Sequence, residues 1–321
     1  MRKNLNQLDE QLIESSMETF SVLVDKTDTL NLTKGASYSE SSLKAMASDW
    51  NRYLAFCAKA KQEPFTFNED AMLQFLAVMS STLKFSTVRR TLIHVSLILR
   101  IHGIKDPSRQ SRITQCLAGI SLDKNGDSKV TKALTLEDLD YLHRELGESD
   151  KSKDLRDLAM CYVMFECALN RKALRELKLS DVVDTSGDLL VNVETSSYRL
   201  SKNGNVVLSR YLELCKPEQG ALFVRVSKYG NLKDGSLNDS SIFRVMRRMS
   251  QVLGYAGTEE LSGNSCRVGA VQQLSTEGMS LRDIQAFGRW VSPVMPAIYL
   301  NMHGLAKEHV LQFKAIRLLD D

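Results

Sequence analysis

Apolar residues recur at helical spacing along most of this chain. From Leu5 to about Val24 they fall every third or fourth position, and DKTDTLNLTKGASYSES then interrupts them with polar residues and a glycine. This pattern predicts an N-terminal helix on a flexible arm. SYSESSLKAMASDWNRYLAFCAKA reads as a capped amphipathic helix with Leu43, Met46, Trp50, Tyr53, Leu54 and Cys57 on one face. FNEDAMLQFLAVMSST, STVRRTLIHVSLILRIHG and SRQSRITQCLAGI continue as helices between short polar turns. SLDKNGDSKVTKA, residues 121–133, has no apolar period and is the candidate interdomain linker.

Beyond the linker the pattern changes. LTLEDLDYLHREL carries a helix-start signature, and DLRDLAMCYVMFECALNRKALRELKLSDV is apolar nearly all round before it turns amphipathic. DLLVNVET, NVVLS and ALFVRVS have strand character, with Ser201-Lys202-Asn203-Gly204 as a hairpin turn between the first two. SSIFRVMRRMSQVLG, SLRDIQAFGRW and a region from Pro293 onward return to helix. The predicted fold class is mainly α with a small antiparallel β-sheet, and 321 residues suffice for two cores.

Composition narrows the chemistry. A net charge of +3 excludes a polycation, so any nucleic-acid affinity must come from local clusters. One such cluster is Lys84, Arg89, Arg90, Arg100, Lys105, Arg109 and Arg112, with Asp106 the only acid among them. On charge alone a solvated helix face is the first reading of that run. Ser86 and Thr87 at the start of the Arg89/Arg90 helix tilt it toward phosphate contacts. The six cysteines form no CxxC pair and the five histidines lack metal-ligand spacing, so free thiols and a site without metal or cofactor are expected. No apolar run is long enough for a membrane span or signal peptide, which leads to a cytoplasmic expectation.

Three segments then point in one direction. SGNSCRVGA (262–270) sets Arg267 among small residues, with Asn264 three positions before it; GRW places Trp290 after Gly288; and Tyr299 follows Trp290 by nine residues. Their order and spacing resemble the boxes of the tyrosine recombinases, the phage integrase family, and its Cre-like members in particular. The likeness extends over most of residues 37 to 315.

This resemblance implies an arm (1–35), a helical core-binding domain (36–120), the linker (121–133) and a catalytic-type domain (134–321) ending in an oligomerisation helix within LAKEHVLQFKAIRLLDD. It implies Tyr299 as nucleophile, Arg267 as phosphate ligand, Trp290 as core residue and phosphate ligand alike, and double-stranded DNA bearing an inverted-repeat site as partner. Both domains would clamp the duplex, with protomers assembling as a homo-oligomer on DNA in the bacterial nucleoid or on a plasmid. Lys44, Ser86, Thr87, Arg89, Arg90, Arg244, Arg247 and Arg248 are the implied DNA contacts.

Other positions depart from the family pattern. Leu174, Leu177 and Asp181 fit the family's helix and set Asn170 where its first arginine stands, with Ala173 at the acidic position. Arg171 is the neighbouring candidate, and one residue turns a helical side chain by ~100°. Lys202 is the candidate for the hairpin lysine. Asn264 occupies the histidine position, where it can hold a phosphate but cannot exchange a proton. Two readings stay open: a recombinase that cuts and rejoins DNA, and a relative that only binds it.

Overall fold

The computed structural model describes residues 7–33, 38–124, 126, 130–215, 220–227 and 232–302. The chain divides into two compact units, residues 1–129 and 130–321. The fold is mainly helical with small antiparallel sheets.

Unit 1 contains α1 (Glu10–Phe20), α2 (Lys26–Leu32), α3 (Glu40–Ala60), α4 (Glu69–Thr82), α5 (Phe85–Ile101) and α6 (Ser111–Asp123). The predicted arm is in part a helix. Asp25 accepts from the Thr27 and Asp28 N–H groups while Asp28 bonds back to Asp25, which is a capping box for α2. Polar residues hid this helix because its acids serve the cap. Thr29 and Leu32 are buried, and Trp50 Nε1 donates to the Phe20 carbonyl at 2.8 Å, so this segment closes the core of Trp50, Phe75, Leu92 and Ile98. α6 reaches Asp123, three residues into the predicted linker.

Unit 2 opens with α7 (Leu136–Leu146), α8 (Ser152–Glu166) and α9 (Arg171–Glu176). As the sequence suggests, α8 is buried all round from Leu155 to Phe165. A three-stranded meander follows, β1 (Val182–Thr185), β2 (Asp188–Val193) and β3 (Ser196–Arg199), paired antiparallel in that order. Then come α10 (Lys202–Cys215), the antiparallel pair β4 (Val224–Val226) and β5 (Leu232–Ser236), and α11 (Asp239–Val252). α12 (Ser265–Thr276), α13 (Leu281–Phe287) and α14 (Val294–Tyr299) end the described chain. The C-terminal helix read in the sequence lies outside the described residues.

One expectation is overturned here. Ser201–Gly204 is not a hairpin turn, and NVVLS is not a strand: Ser201 Oγ caps α10 by accepting the Gly204 N–H at 3.1 Å. Positions 204, 207, 208 and 211 are buried, a helical period that the β-branched pair Val206-Val207 masked. The real hairpin is β2–β3, joined by Glu194-Thr195, with Glu194 at φ 55°.

Candidate active site

A polar turn delivers Arg267 to the interior of unit 2. The Ser262 N–H donates to Ser265 Oγ at 2.8 Å and the Asn264 N–H to Ser262 Oγ at 3.3 Å, folding the chain sharply into α12. Arg267, third in that helix, is only 5% exposed. Its Nη2 donates to the Gly288 carbonyl at 2.6 Å, and its guanidinium lies 3.9 Å from the centre of the Trp290 ring. A Cβ on Gly288 would collide with that indole, so glycine is required there.

Tyr299, the last residue of α14, completes the cluster. Its ring meets Trp290 edge to face, with centroids 6.2 Å apart at 71°. Burial raises the Tyr299 pKa and the charge of Arg267 pulls it back. Burial is also the main cause that lowers Arg267 to about 10; Tyr299 opposes that shift and Arg289 reinforces it. Arg267 therefore stays charged at neutral pH. Among the described residues no carboxylate pairs with it and no group bonds the Tyr299 hydroxyl. A phenol beside an uncompensated buried cation can present phenolate oxygen to an electrophile, while the cation holds an anion.

Arg289, which sequence reasoning passed over, borders this cluster. α13 ends in the motif that normally closes on glycine: the Arg289 N–H donates to the Ala286 carbonyl (3.1 Å) and the Trp290 N–H to that of Gln285 (3.0 Å). Arg289 takes the left-handed position at φ 58°. A non-glycine residue there costs ~1 kcal/mol. Its guanidinium stacks 5.0 Å from the Tyr198 ring centre, donates to the Tyr198 hydroxyl, and reaches the Cys167 carbonyl at the end of α8 (3.1 Å). The Tyr198 hydroxyl in turn donates to the Phe287 carbonyl at 2.5 Å, tying β3 to this turn. An arginine where the helix end favours glycine was the sequence signal.

The remaining site candidates fall unevenly. Asn170 accepts from the Ala173 N–H at 2.9 Å and caps α9, so it is occupied structurally. Arg171 begins α9, and its methylene stem lies where a Cβ on Gly263 would be, against the turn that carries Asn264. The structure thus brings Arg171 to the SGNSCRVGA segment. The Asn264 side chain makes no cap bond and is half-buried. Lys202 sits exposed in the first turn of α10 rather than in a hairpin. The true hairpin, DLLVNVETSSYR, contains no lysine, and its Arg199 pairs with Asp188 at 3.4 Å.

The basic candidates likewise divide. Arg90 Nε and Nη2 bind the Asp49 carboxylate at 2.9 and 3.1 Å, and that carboxylate is fully buried and also bonded by Arg52, Thr91 and His94. Arg248 bridges Asp157 at 2.6 Å and Asp154. Arg247 pairs with Glu260 and Lys44 with Glu40. Arg90 and Arg248 thus hold structure that the sequence did not announce. Arg89 and Arg244 are exposed without an acidic partner among the described residues, as are the Ser86 and half-buried Thr87 hydroxyls. No metal-ligand group and no helix long and apolar enough to cross a membrane occurs among the described residues.

Comparison with known proteins decides the family. The Phage integrase family matches residues 132–304, more than half of the chain. The chain belongs to this family, the tyrosine recombinases. An integrase/recombinase XerD homologue of Selenomonas ruminantium is 21% identical over 86% of this chain and 85% of its own length. Recombinase Cre of Escherichia phage P1 is 22% identical over 80% and 82%. Among solved structures, the XerH recombinase on palindromic difH substrate, a post-cleavage complex, aligns with a TM-score of 0.63 at 15% identity, covering 96% of this chain and 97% of that one. A lambda integrase dimer bound to a core site aligns at 0.55 and 13%, covering 89% and 94%. The catalytic-domain fold of tyrosine recombinases is therefore present in this chain.

Proposed function

We propose that this protein binds duplex DNA and exchanges its strands through a phosphotyrosyl intermediate at Tyr299. The observation that carries the proposal is the packing of Arg267, Trp290 and Tyr299 into one cluster whose cation is bonded by no carboxylate among the described residues. The Tyr299 oxygen attacks a backbone phosphorus and loses its proton. The bond to the 5′ oxygen breaks, and that oxygen takes a proton to leave as a 5′-hydroxyl. Attack by the partner strand's 5′-hydroxyl on the phosphotyrosine reverses the step, so no bond energy is lost and no cofactor enters. Arg267 stabilises the extra negative charge on the five-coordinate phosphorus, and Asn264 holds a phosphate oxygen. Arg89, Arg244, Ser86 and Thr87 supply backbone contacts. The palindromic substrate of the XerH complex supports a duplex with inverted repeats; the assembly proposed on it is four protomers across two sites.

A second reading, a DNA-binding factor without cleavage, is favoured by the lysine-free hairpin and by Asn170 and Asn264 at family catalytic positions. One experiment separates them. Fragments selected from random DNA by the full-length protein give the target, and a nicked half-site then traps any covalent complex. A covalent band with wild type and none with Tyr299→Phe establishes strand exchange chemistry; tight, salt-sensitive binding with no band in either rejects it.

A further inference from the structure

We propose that Arg289 supplies a second guanidinium to the anion bound by Arg267, the pair acting as a two-armed oxyanion clamp. This rests on the reading of the cluster as a phosphodiester site. The two guanidiniums are anchored on successive carbonyls of one turn: Arg267 Nη2 on Gly288, at 2.6 Å, and Arg289 Nη1 on Phe287, at 3.4 Å. Arg289 reaches on to the Cys167 carbonyl, three residues before Asn170, and so brings positive charge to the stretch where this chain has an asparagine in place of an arginine.

Three further features favour a ligand over a strap. Neither guanidinium has a carboxylate partner among the described residues, whereas buried Arg156 pairs with Asp157 at 2.5 Å and half-buried Arg248 with Asp157 and Asp154. Glu194 acts on Arg267 only through its field, as the last of the influences on it, and like charges without a bonded acid are stabilised by an anion from outside. The left-handed backbone at Arg289 is better suited to glycine, and glycine there would keep the helix-ending bonds of α13, which are made by main-chain groups alone. Arg289's own carbonyl contacts leave part of its five-donor fork free for a ligand.

Inorganic phosphate titrated into the full-length protein at constant ionic strength tests this, read through Trp290 fluorescence. Trp50, the other of the two tryptophans, is fully buried in unit 1 and bonded to Phe20, so it serves as a constant background. Wild type is expected to give a saturable change. Arg289→Gly is expected to weaken phosphate about 10- to 100-fold while the melting midpoint holds within about 3 degrees. Arg289→Lys, which keeps the charge without the fork, is expected to fall between the two. Wild-type phosphate affinity in Arg289→Gly, or no saturable response in wild type, overturns the clamp. The outcome is independent of cleavage: phosphate binding lost in Arg289→Gly upholds the clamp even where the nicked half-site yields no covalent band.

Discussion

Unit 2 holds two groups of buried and half-buried arginines and treats them in opposite ways. Arg156 and Arg248 are packed against Asp157 and Asp154 near the start of α8, so each cation is met by carboxylate and the group is closed electrostatically. Arg267, at 5% exposure, meets a carbonyl and the face of an indole instead, with Arg289 on the next carbonyl of the same turn. Taking an ion out of water costs several kcal/mol unless it is paired. The first group recovers that cost inside the fold. The second leaves it outstanding until an anion arrives, which is the condition that the proposed phosphate site requires.

The contrast predicts opposite responses to removal of charge. Arg267→Met deletes an uncompensated cation at similar volume, so unfolding free energy is expected to change by less than about 1 kcal/mol, or to rise, while covalent capture of DNA falls by about 10³-fold or more. Asp157→Ala strands Arg156, leaves Arg248 with Asp154 alone, and is expected to cost about 3–5 kcal/mol in urea unfolding. A loss above about 2 kcal/mol in Arg267→Met would dissolve the distinction between the two groups.

These two groups were not equally legible in the sequence. Arg267, Trp290 and Tyr299 could be read because a local box fixes each one, and box spacing survives in a linear string. The pairing of Arg248 with Asp157 spans 91 residues, and no local pattern carries it. Helices α3 and α5 were readable from their apolar period and α8 from its nearly continuous apolar run, which tertiary packing only reinforced. α2 and α10 were not: Asp25, Asp28 and Ser201 spend their polarity on caps, so the sequence resembles a loop and a hairpin turn where helices begin. The same error placed Lys202 in a hairpin and left the real one, at Glu194-Thr195, without a lysine.

Unit 1 offers a third case, compensated like the first group but titratable. Burial alone would raise the pKa of Asp49, but hydrogen bonds from His94, Arg90 and Thr91 outweigh it and hold the carboxyl well below the ordinary range. A carboxylate with a depressed folded pKa stabilises fully above its unfolded value of about 3.9, and that stability drains away as pH falls toward the folded value. The urea midpoint is therefore expected to drop from pH 5 to pH 3, and Asp49→Asn to start lower and change less over that interval. An equal slope in both proteins would show that Asp49 is not the group being titrated.

The smallest effects separate neighbours on α5. Arg89 and Arg90 are adjacent and both exposed at their tips, but only Arg90 is committed to Asp49. If compensation marks structure and its absence marks a ligand contact, the two substitutions must register in different measurements. Arg89→Ala is expected to leave stability within about 0.5 kcal/mol and to reduce the slope of log affinity against log salt for a DNA duplex by about 1. Arg90→Ala removes one of several partners of a buried carboxylate and is expected to cost about 1–3 kcal/mol in stability with little change in that slope. Equal salt slopes in wild type and Arg89→Ala would remove this face from the DNA interface and leave backbone binding to unit 2. A reduced slope for Arg90→Ala would show that one arginine can answer to both an internal carboxylate and an external phosphate, and the separation of the two groups would then be one of degree.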